Sequence, residues 1–398
     1  MSEKRKDHKG RILKTGESQR KDLTYQYRYT DIGGKRRTVY APDLTGLREK
    51  EKEIQKQLDR GIDYAAGNIT VIQLVERYIE VKRGVRRSTR DNYRYMLSII
   101  KKYDFGYRPI KNIKPLDAKQ WVIKLNKDGQ GYGSINNIRG MLRPAFQMAY
   151  DENIIYRNPF DFKLSDVVPN DSKARIALTK EQQVSFMNFV RSDNVYKKHY
   201  DEFVVLLGTG LRVSEMCGLT KADLDFQKRK IRVERQLIQK KGKAYIEKPK
   251  SKHGYRFIPM TDEVCQSLKR IIESRDKTKM EPIVDGLSGF ILLNKKGIPK
   301  TSDAIQITVR RAVRKYKKMN PNDSPIRITP HVMRHTFCTN MANAGMDVKS
   351  LQYIMGHSDV SMTLNVYTHA NYEHVAEQMG TLVDFQATQK KEQQKKSS

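Results

Sequence analysis

The sequence has little of what would indicate a disulfide-linked, metal-stapled or membrane protein. The 398-residue chain contains three cysteines, Cys217, Cys265 and Cys338, which are far apart and form no C-x-x-C pair. Such spacing indicates neither a zinc site nor a disulfide framework. No apolar run approaches the roughly 20 residues of a membrane-spanning helix. The N-terminal MSEKRKDHKG also lacks the apolar core of a signal peptide, so we expect no membrane partner.

Acidic residues are scarce as well. Asp and Glu total 45 against 77 Lys and Arg, which gives a formal net charge of +32. Basic residues run through the whole length among apolar and aromatic ones, so the charge is not confined to a tail. A charge of this size disfavours self-association and favours binding to a polyanion. It also fits a ribosomal or architectural factor. We expect nucleic acid as the partner and a cytosolic or nucleoid-associated location.

Residues 1–66 predict a small α+β module. Tyr25, Tyr27 and Tyr29 alternate with polar residues as in a strand, a turn follows at 31–34, and residues 35–41 fit the partner strand of a hairpin. Apolar residues at helical spacing predict an amphipathic helix over 47–58. The apolar core is thin, and residues 61–67 resemble a linker.

Residues 67–165 predict an all-α domain. Apolar periodicity indicates helices over 71–81, 88–103, 115–125 and 132–150, with Thr70 and Ser88 as N-caps. Residues 160–174 are polar and predict a connector between this domain and the next.

Residues 175–385 predict a mostly helical α+β domain. Strands are expected over 230–238, 244–248 and 256–260, with helices before and after them, including 180–191 and 200–207. Residues 386–398 are rich in lysine and glutamine and predict a mobile polar tail.

Two groups of basic residues are candidate DNA contacts. A two-stranded ribbon can enter a major groove, and a basic helix face can follow a phosphate backbone. Solvated faces are also often basic, so this alternative stays open for each residue. The ribbon candidates are Arg28, Lys35, Arg36 and Arg37, and the helix candidates are Arg86, Arg87, Arg90 and Arg94.

Arg212 follows Gly208-Thr-Gly210 in the segment LLGTGLRVSE. The glycines can end one helix and let the backbone approach a ligand, and residues 211–216 begin another helix. A guanidinium at that helix start can bind two phosphate oxygens at once. The alternative is a surface arginine paired with Glu215.

Lys250 lies in KPKSKHGYR between two predicted strands, and we expect it at the tip of a hairpin. From there an ammonium group could protonate an oxygen that leaves a phosphate. Lys252 is a close alternative, and either lysine could simply be solvated.

Thr329-Pro330 predicts a helix start, with Thr as N-cap and Pro as the first residue. His331 and Arg334 then share one face of the first turn, where the helix dipole favours an anion. His331 and His335 are four apart, as in a metal site. Zinc hydrolases place Glu directly after the first His, however, and this chain has Val332, so we expect no metal.

His357 follows a helix predicted over 347–355, which Gly356 closes. Tyr367 lies ten residues further, on another short helical run. A tyrosine at such a position is more often a core residue than a nucleophile. A phenol with a pKa of about 10 attacks well only when cations or a general base assist it. Two arginines, a lysine and two histidines could supply that assistance around one phosphate.

The motifs GLRVSE, HVMRHT and LQYIMGH followed by YTH, in this order, resemble those of the tyrosine recombinases, or phage-type integrases. Aligned back from Pro259, the resemblance favours Lys250 over Lys252. A small module before a helical domain is most similar to the integrases of conjugative transposons. The resemblance implies five activating residues and one nucleophile: Arg212, Lys250, His331, Arg334 and His357, with Tyr367 as the nucleophile.

This resemblance implies a site-specific recombinase of a mobile element, which cuts and rejoins double-stranded DNA through a 3′-phosphotyrosine without metal or ATP. Residues 1–66, as a three-stranded sheet plus a helix, would bind arm-type repeats. Residues 67–165 would clamp the crossover site and residues 175–385 would carry catalysis. Four protomers would meet on DNA, with an excisionase or a DNA-bending protein as a further candidate partner. Residues 372–385 would pack on their own domain or on a neighbour.

Two alternatives remain open. A type IB topoisomerase relaxes DNA with a similar set of residues, although the arm-like N-terminal module argues against it. A non-catalytic architectural protein could use the same fold only to bind DNA.

Overall fold

The structure is a computed structural model, which describes residues 5–31, 34–59, 66–172, 176–240, 242–249, 251–275, 280–321 and 327–367. The chain divides into two compact units, with the boundary between residues 173 and 174. Among the described helices, none has the length and apolar character that crossing a membrane requires.

The first unit begins with a three-stranded antiparallel sheet and one helix. These elements are β1 (Glu17–Gln19), β2 (Tyr25–Thr30), β3 (Arg36–Ala41) and α1 (Leu44–Leu58). Alternation along β2 buries Tyr25, Tyr27 and Tyr29, and Leu47 and Ile54 of α1 complete a small core with them. The predicted hairpin, helix and thin core are confirmed.

The rest of the first unit is a helical domain. Its helices are α2 (Val71–Val81), α3 (Arg87–Ile100), α4 (Pro115–Lys127) and α5 (Tyr132–Asp151). The predicted N-cap at Thr70 is confirmed, and with Gln73 it forms a reciprocal capping box at the start of α2. The expected N-cap at Ser88 is wrong: Arg86 is the last extended residue, with ψ 151°, and Ser88 lies inside α3.

A polar connector is expected over residues 160–174, but this prediction is wrong for residues 160–168. These residues belong to the helical core. Phe160, Leu164 and Val168 are buried there. Phe160 contacts the rings of Trp121 and Phe146. The three buried residues are four apart, so they can cover one side of the domain although the residues between them are polar.

The second unit is mostly helical, with two small sheets. Its strands are β4 (Leu224–Asp225), β5 (Lys230–Val233), β6 (Gln236–Lys240), β7 (Lys243–Glu247) and β8 (Arg256–Pro259). Its helices are α6 (Lys180–Ser192), α7 (Tyr200–Thr209), α8 (Val213–Cys217), α9 (Asp262–Glu273), α10 (Ser302–Met319), α11 (Pro330–Asn343), α12 (Val348–Met355) and α13 (Ser361–Tyr367). Helix α7 is buried on nearly all sides and packs against α9 and α11.

The single strand expected over 230–238 is wrong, because this segment forms two strands in two sheets. Among the described strands, β5 pairs with β4 and β8, whereas β6 pairs with β7 alone. Between β5 and β6, Arg235 turns back to the buried carboxylate of Asp223. The hairpin expected around Lys250 is wrong for the same reason, since β7 and β8 are not partners. Lys250 itself lies outside the described residues, in the segment that joins the two sheets.

Candidate active site

Gly210 shapes the turn that carries Arg212. It ends α7 in the left-handed conformation, with φ 62°. A Cβ at this position would lie 2.4 Å from Cδ1 of Phe337, so glycine alone fits both the backbone and the space. Arg212 follows as the N-cap of α8.

Arg212 is held by a carboxylate and by a backbone carbonyl. Its Nη1 donates to Oε1 of Glu215 at 2.7 Å, and its Nη2 donates to the Gly356 carbonyl at 3.1 Å. The sequence also allows a surface pair of Arg212 with Glu215; the pair forms, but it is not on the surface, because Glu215 is buried. Arg212 keeps 35% of its side chain exposed, so it remains open to a ligand.

Arg334 is buried and bridges two helix ends. Its Nη1 donates to the Gly210 carbonyl at 2.5 Å, and its Nη2 donates to the Met355 carbonyl. These carbonyls lie at the C-termini of α7 and α12, where the helix dipoles favour a cation. Burial and the neighbouring Arg212 lower the pKa of Arg334 to about 9, so the guanidinium stays charged at neutral pH.

His357 lies directly after the left-handed Gly356 that closes α12, as the sequence predicts. Its ring is buried, and Nδ1 is 3.0 Å from Oγ1 of Thr363 on α13. Burial, followed by the charges of Arg334 and Arg212, lowers the pKa of His357 to about 4. The imidazole is therefore neutral at pH 7. When Thr363 donates to Nδ1, the ring proton lies on Nε2, which can donate to a phosphate oxygen.

The net charge of this cluster suits an anion. The guanidinium groups of Arg212, Arg256 and Arg334 surround one carboxylate, that of Glu215, so three positive charges face one negative charge and the sum is +2. Burial alone would raise the pKa of Glu215. The three arginines lower it by more than burial raises it, so the pKa falls to about 2. The carboxylate is thus ionised and still leaves an excess of positive charge.

His331 is exposed on the first turn of α11, three residues before Arg334. The Thr329 hydroxyl caps this helix by accepting from Val332 N at 3.1 Å, and Pro330 is its first residue, both as the sequence predicts. Lys252 is exposed at the start of a short 3₁₀ turn. In the part of the chain that the structure describes, no three His, Cys, Asp or Glu side chains gather as a metal site requires.

Tyr367 is the last residue of α13, a helix that packs on α11 and α12. Val366 is buried in a cluster with Phe337 and Met355. Tyr367 follows Thr363, the partner of His357, by four residues, which is one helical turn. The backbone thus brings Tyr367 to α11, which carries Arg334, and to α12, which His357 follows. Its side chain lies outside the described part of the chain.

The four basic residues expected on the N-terminal ribbon do not share one face. Arg28 and Arg36 are exposed and lie on the face opposite the buried tyrosines, because Arg28 pairs with Thr38 and Arg36 with Thr30. Arg37 pairs with Tyr29 and so lies on the other face, where its Nε donates to Asp31 at 2.9 Å. Lys35 is exposed in the turn before β3.

The basic residues expected on the helical domain form one face of α3. Arg87, Arg90 and Arg94 are exposed and follow helical spacing, opposite the buried Met96 and Ile99. Arg86, at the N-cap, is half-buried.

Arg256 was missed by reasoning from the sequence. It is the first residue of β8, its side chain is fully buried, and it donates to both carboxylate oxygens of Glu215. A signal was available: Arg256 and Ile258 are two apart in a predicted strand, so an arginine had to face the same way as a core isoleucine.

Comparison with known proteins identifies the family of the chain. A model of the phage integrase family matches residues 177–374, and a model of the DNA binding domain of tn916 integrase matches residues 1–58. The transposase from transposon Tn1545 of Streptococcus agalactiae is 43% identical over 96% of this chain and 97% of the relative. The transposase from transposon Tn916 of Enterococcus faecalis is 42% identical over the same shares.

The chain belongs to the phage integrase family. A solved structure of the Tn1549 transposon integrase in complex with a circular intermediate DNA is similar to this integrase. The TM-score is 0.75 and the identity 42%, over 79% of this chain and 99% of that one. The integrase is a tyrosine recombinase, as its sequence motifs predict. The expected fold, with a small β-rich α+β module before a helical domain and a mostly helical α+β domain, is also confirmed.

Proposed function

We propose that this integrase integrates and excises a conjugative transposon by cutting and rejoining double-stranded DNA at crossover sites. The observation that carries the proposal is the meeting of Arg212, Arg334 and His357 at the C-termini of α7 and α12, beside the helix that ends in Tyr367. Its likeness over nearly full length to the Tn1545 and Tn916 transposases supports the choice of a transposon.

In the proposed reaction, the Tyr367 oxygen attacks the scissile phosphorus and gives up its proton to His331 or to water. A bond from phosphorus to the tyrosine oxygen forms, and the bond from phosphorus to the 5′-oxygen breaks. The guanidinium groups of Arg212 and Arg334 and the Nε2–H of His357 stabilise the charge on the pentavalent phosphorus. The 5′-hydroxyl of a second strand then reverses the step. The phosphodiester energy stays in the phosphotyrosine, so the reaction consumes no ATP.

Two further residues complete the proposed site. Lys250 protonates the leaving 5′-oxygen, and Lys252, two residues along, is the alternative donor. His331, exposed on the first turn of α11, orients the phosphate or assists proton transfer.

The proposed division of labour follows the modules. Residues 1–66 bind arm-type repeats, residues 67–165 clamp the crossover site, residues 175–385 catalyse, and residues 386–398 form a polar tail. The proposed DNA contacts are Arg28, Lys35, Arg36 and Arg37 in the first module and Arg86, Arg87, Arg90 and Arg94 in the second.

Recombining two duplexes takes four nucleophiles, so we infer that four protomers assemble on DNA, with residues 372–385 coupling neighbouring sites. An excisionase or a DNA-bending protein sets the direction. Because its proposed substrate is bacterial DNA, we infer that the integrase acts on the nucleoid, in the bacterial cytoplasm.

Two assays with the full-length protein test the proposal. A nicked suicide duplex carrying the transposon ends should trap a covalent protein–DNA adduct, and two duplexes with crossover sites should exchange strands. Binding without an adduct would indicate an architectural protein. An adduct together with relaxation of site-free supercoiled plasmid, but without strand exchange, would indicate a topoisomerase.

A further inference from the structure

Arg256 makes four hydrogen bonds from a position that solvent does not reach. Its Nη1 and Nη2 donate to the two carboxylate oxygens of Glu215, at 3.2 and 2.8 Å. Its Nε donates to the Ile354 carbonyl at 2.6 Å, and Nη1 also donates to the Gly254 carbonyl at 3.2 Å. Its side chain is 0% exposed, so Arg256 cannot itself contact DNA in this conformation.

These bonds join three segments that are far apart in sequence. Glu215 binds Arg212 through both the backbone N–H and the guanidinium of Arg212. Ile354 lies in the last turn of α12, three residues before His357. Gly254 ends the 3₁₀ turn in the segment between β7 and β8, the segment that also carries the two candidate lysines.

We propose that Arg256 is a positioning residue for strand cleavage, which keeps Arg212 and His357 within reach of one phosphate. It acts on Arg212 through Glu215, and on the turn of His357 through the Ile354 carbonyl. This inference rests on the proposed function, because it assumes that Arg212 and His357 act on the scissile phosphate.

Only a guanidinium has the geometry for this task. Its planar fork binds both oxygens of a carboxylate while Nε donates in a third direction. A lysine at position 256 would keep the positive charge beside Glu215, but one ammonium group cannot reproduce bonds to Glu215, Ile354 and Gly254 together. The charge alone therefore does not suffice for the positioning.

A purely structural role makes a different prediction. Buried ion pairs contribute little net stability compared with well-packed apolar residues, but removing one partner leaves an unpaired charge and destabilises the fold. A structural arginine would therefore lower the melting temperature when replaced and leave the chemical step of the folded protein unchanged.

The test uses full-length Arg256→Lys and Arg256→Gln with Arg235→Lys and Arg235→Gln as matched controls. Arg235 also pairs with a buried carboxylate in the same unit, that of Asp223. The single-turnover rate of adduct formation is measured on saturating nicked DNA, alongside the DNA dissociation constant and the melting temperature. We expect the Arg256 variants to cleave about 10²–10³-fold more slowly, as for loss of one preorganised donor, with a dissociation constant within about threefold of the wild type. The Arg235 controls should lose stability but keep the cleavage rate.

A second background separates positioning from direct action. If Arg256 works largely through Arg212, adding Arg256→Gln to Arg212→Ala should slow cleavage by no more than about tenfold further, since coupled residues are not additive. Multiplicative effects of Arg256→Gln with both Arg212→Ala and His357→Ala would overturn the proposal, because Arg256 is proposed to act through these two residues. So would wild-type cleavage by folded Arg256→Lys, the variant that decides the question if Arg256→Gln does not fold. If the wild-type protein forms no adduct, the proposed function fails instead.

Discussion

At the scale of single residues, the site is built from arginine side chains that donate hydrogen bonds to backbone carbonyls. Arg334 donates to carbonyls of Gly210 and Met355, and Arg212 donates to that of Gly356. Carbonyls at helix C-termini hold a guanidinium without neutralising it, so the positive charge remains available to a phosphate. The Glu215 carboxylate contacts Arg212 and Arg256, so it orients two arginines and cancels only one charge.

The same charges set the protonation of His357 and lead to a prediction on stability. Its pKa is lowered from 6.5 to about 4 in the folded protein. Between these values the unfolded chain binds more protons, so the contribution of His357 is complete above pH 6.5 and is lost as the pH falls toward 4. In the absence of DNA, the melting temperature of His357→Gln should therefore fall less than that of the wild type when the pH is lowered from 6.5 to 4.

The control for this prediction is His253→Gln, which alters an exposed histidine of the same unit. Its melting temperature should follow the wild-type pH dependence. Parallel curves for wild type and His357→Gln would mean that His357 is not the buried neutral group described above.

At the scale of elements, the ends of two helices decide the shape of the site. Gly210 closes α7 and Gly356 closes α12, both in the left-handed conformation. These turns direct the last carbonyls of each helix toward the arginines. They also start the segments that carry Arg212 and His357.

Gly356→Ala tests this arrangement, with Gly345→Ala as the matched control. Both glycines have positive φ, 60° and 83°, and an alanine costs about 1–2 kcal/mol in that conformation. A Cβ at Gly356 would also lie 2.9 Å from the His253 carbonyl and 3.0 Å from Nη1 of Arg256, whereas a Cβ at Gly345 meets nothing within 4 Å. Gly356→Ala should therefore lower the free energy of unfolding more than Gly345→Ala, and it alone should slow cleavage.

Chemical denaturation and single-turnover cleavage measure the two effects. Equal losses of stability, with cleavage unchanged in both variants, would show that the turn at Gly356 does not control the site.

Elements with strong local signals could be predicted from the sequence. Thr70, Thr329-Pro330 and Gly356 mark helix ends by capping chemistry that needs no distant partner. The break between β5 and β6 could not be predicted, because the residues over 230–238 alternate as one strand would. What divides them is pairing with different partners and the distant carboxylate of Asp223, which holds Arg235.

The candidate site likewise contains residues that could be predicted from the sequence and one, Arg256, whose contacts could not. Arg212, Arg334 and His357 lie in short motifs with glycine or helix-start signals, so the sequence indicates both the residues and their local conformation. The contacts of Arg256 with Glu215 and Ile354 join residues 41 and 98 positions away. No local pattern carries such a connection, so only the folded chain reveals it.

At the scale of the whole molecule, the charge of +32 is spread over modules that we propose to bind different DNA segments. Full-length protein should give two separate footprints on transposon-end DNA, and a chain that begins near Ile69 should give one. Affinity should fall with salt by a log–log slope of about −0.9 per phosphate contacted, and the shorter chain should have the shallower slope. Footprinting and salt titration check both. Identical footprints for the two chains would refute a separate arm-binding module.

The central claim is that Tyr367 is the nucleophile, and mapping the covalent adduct tests it most directly. Full-length protein is reacted with a nicked suicide duplex and digested, and the peptide that carries the nucleotide is identified by mass spectrometry. Tyr367→Phe removes only the hydroxyl, and Tyr372→Phe makes the same change five residues further along as the control. We predict a 3′-phosphotyrosine at position 367, no adduct with Tyr367→Phe despite unchanged DNA binding, and a normal adduct with Tyr372→Phe. An adduct formed by Tyr367→Phe, or one mapped to another residue of the wild type, would contradict the account.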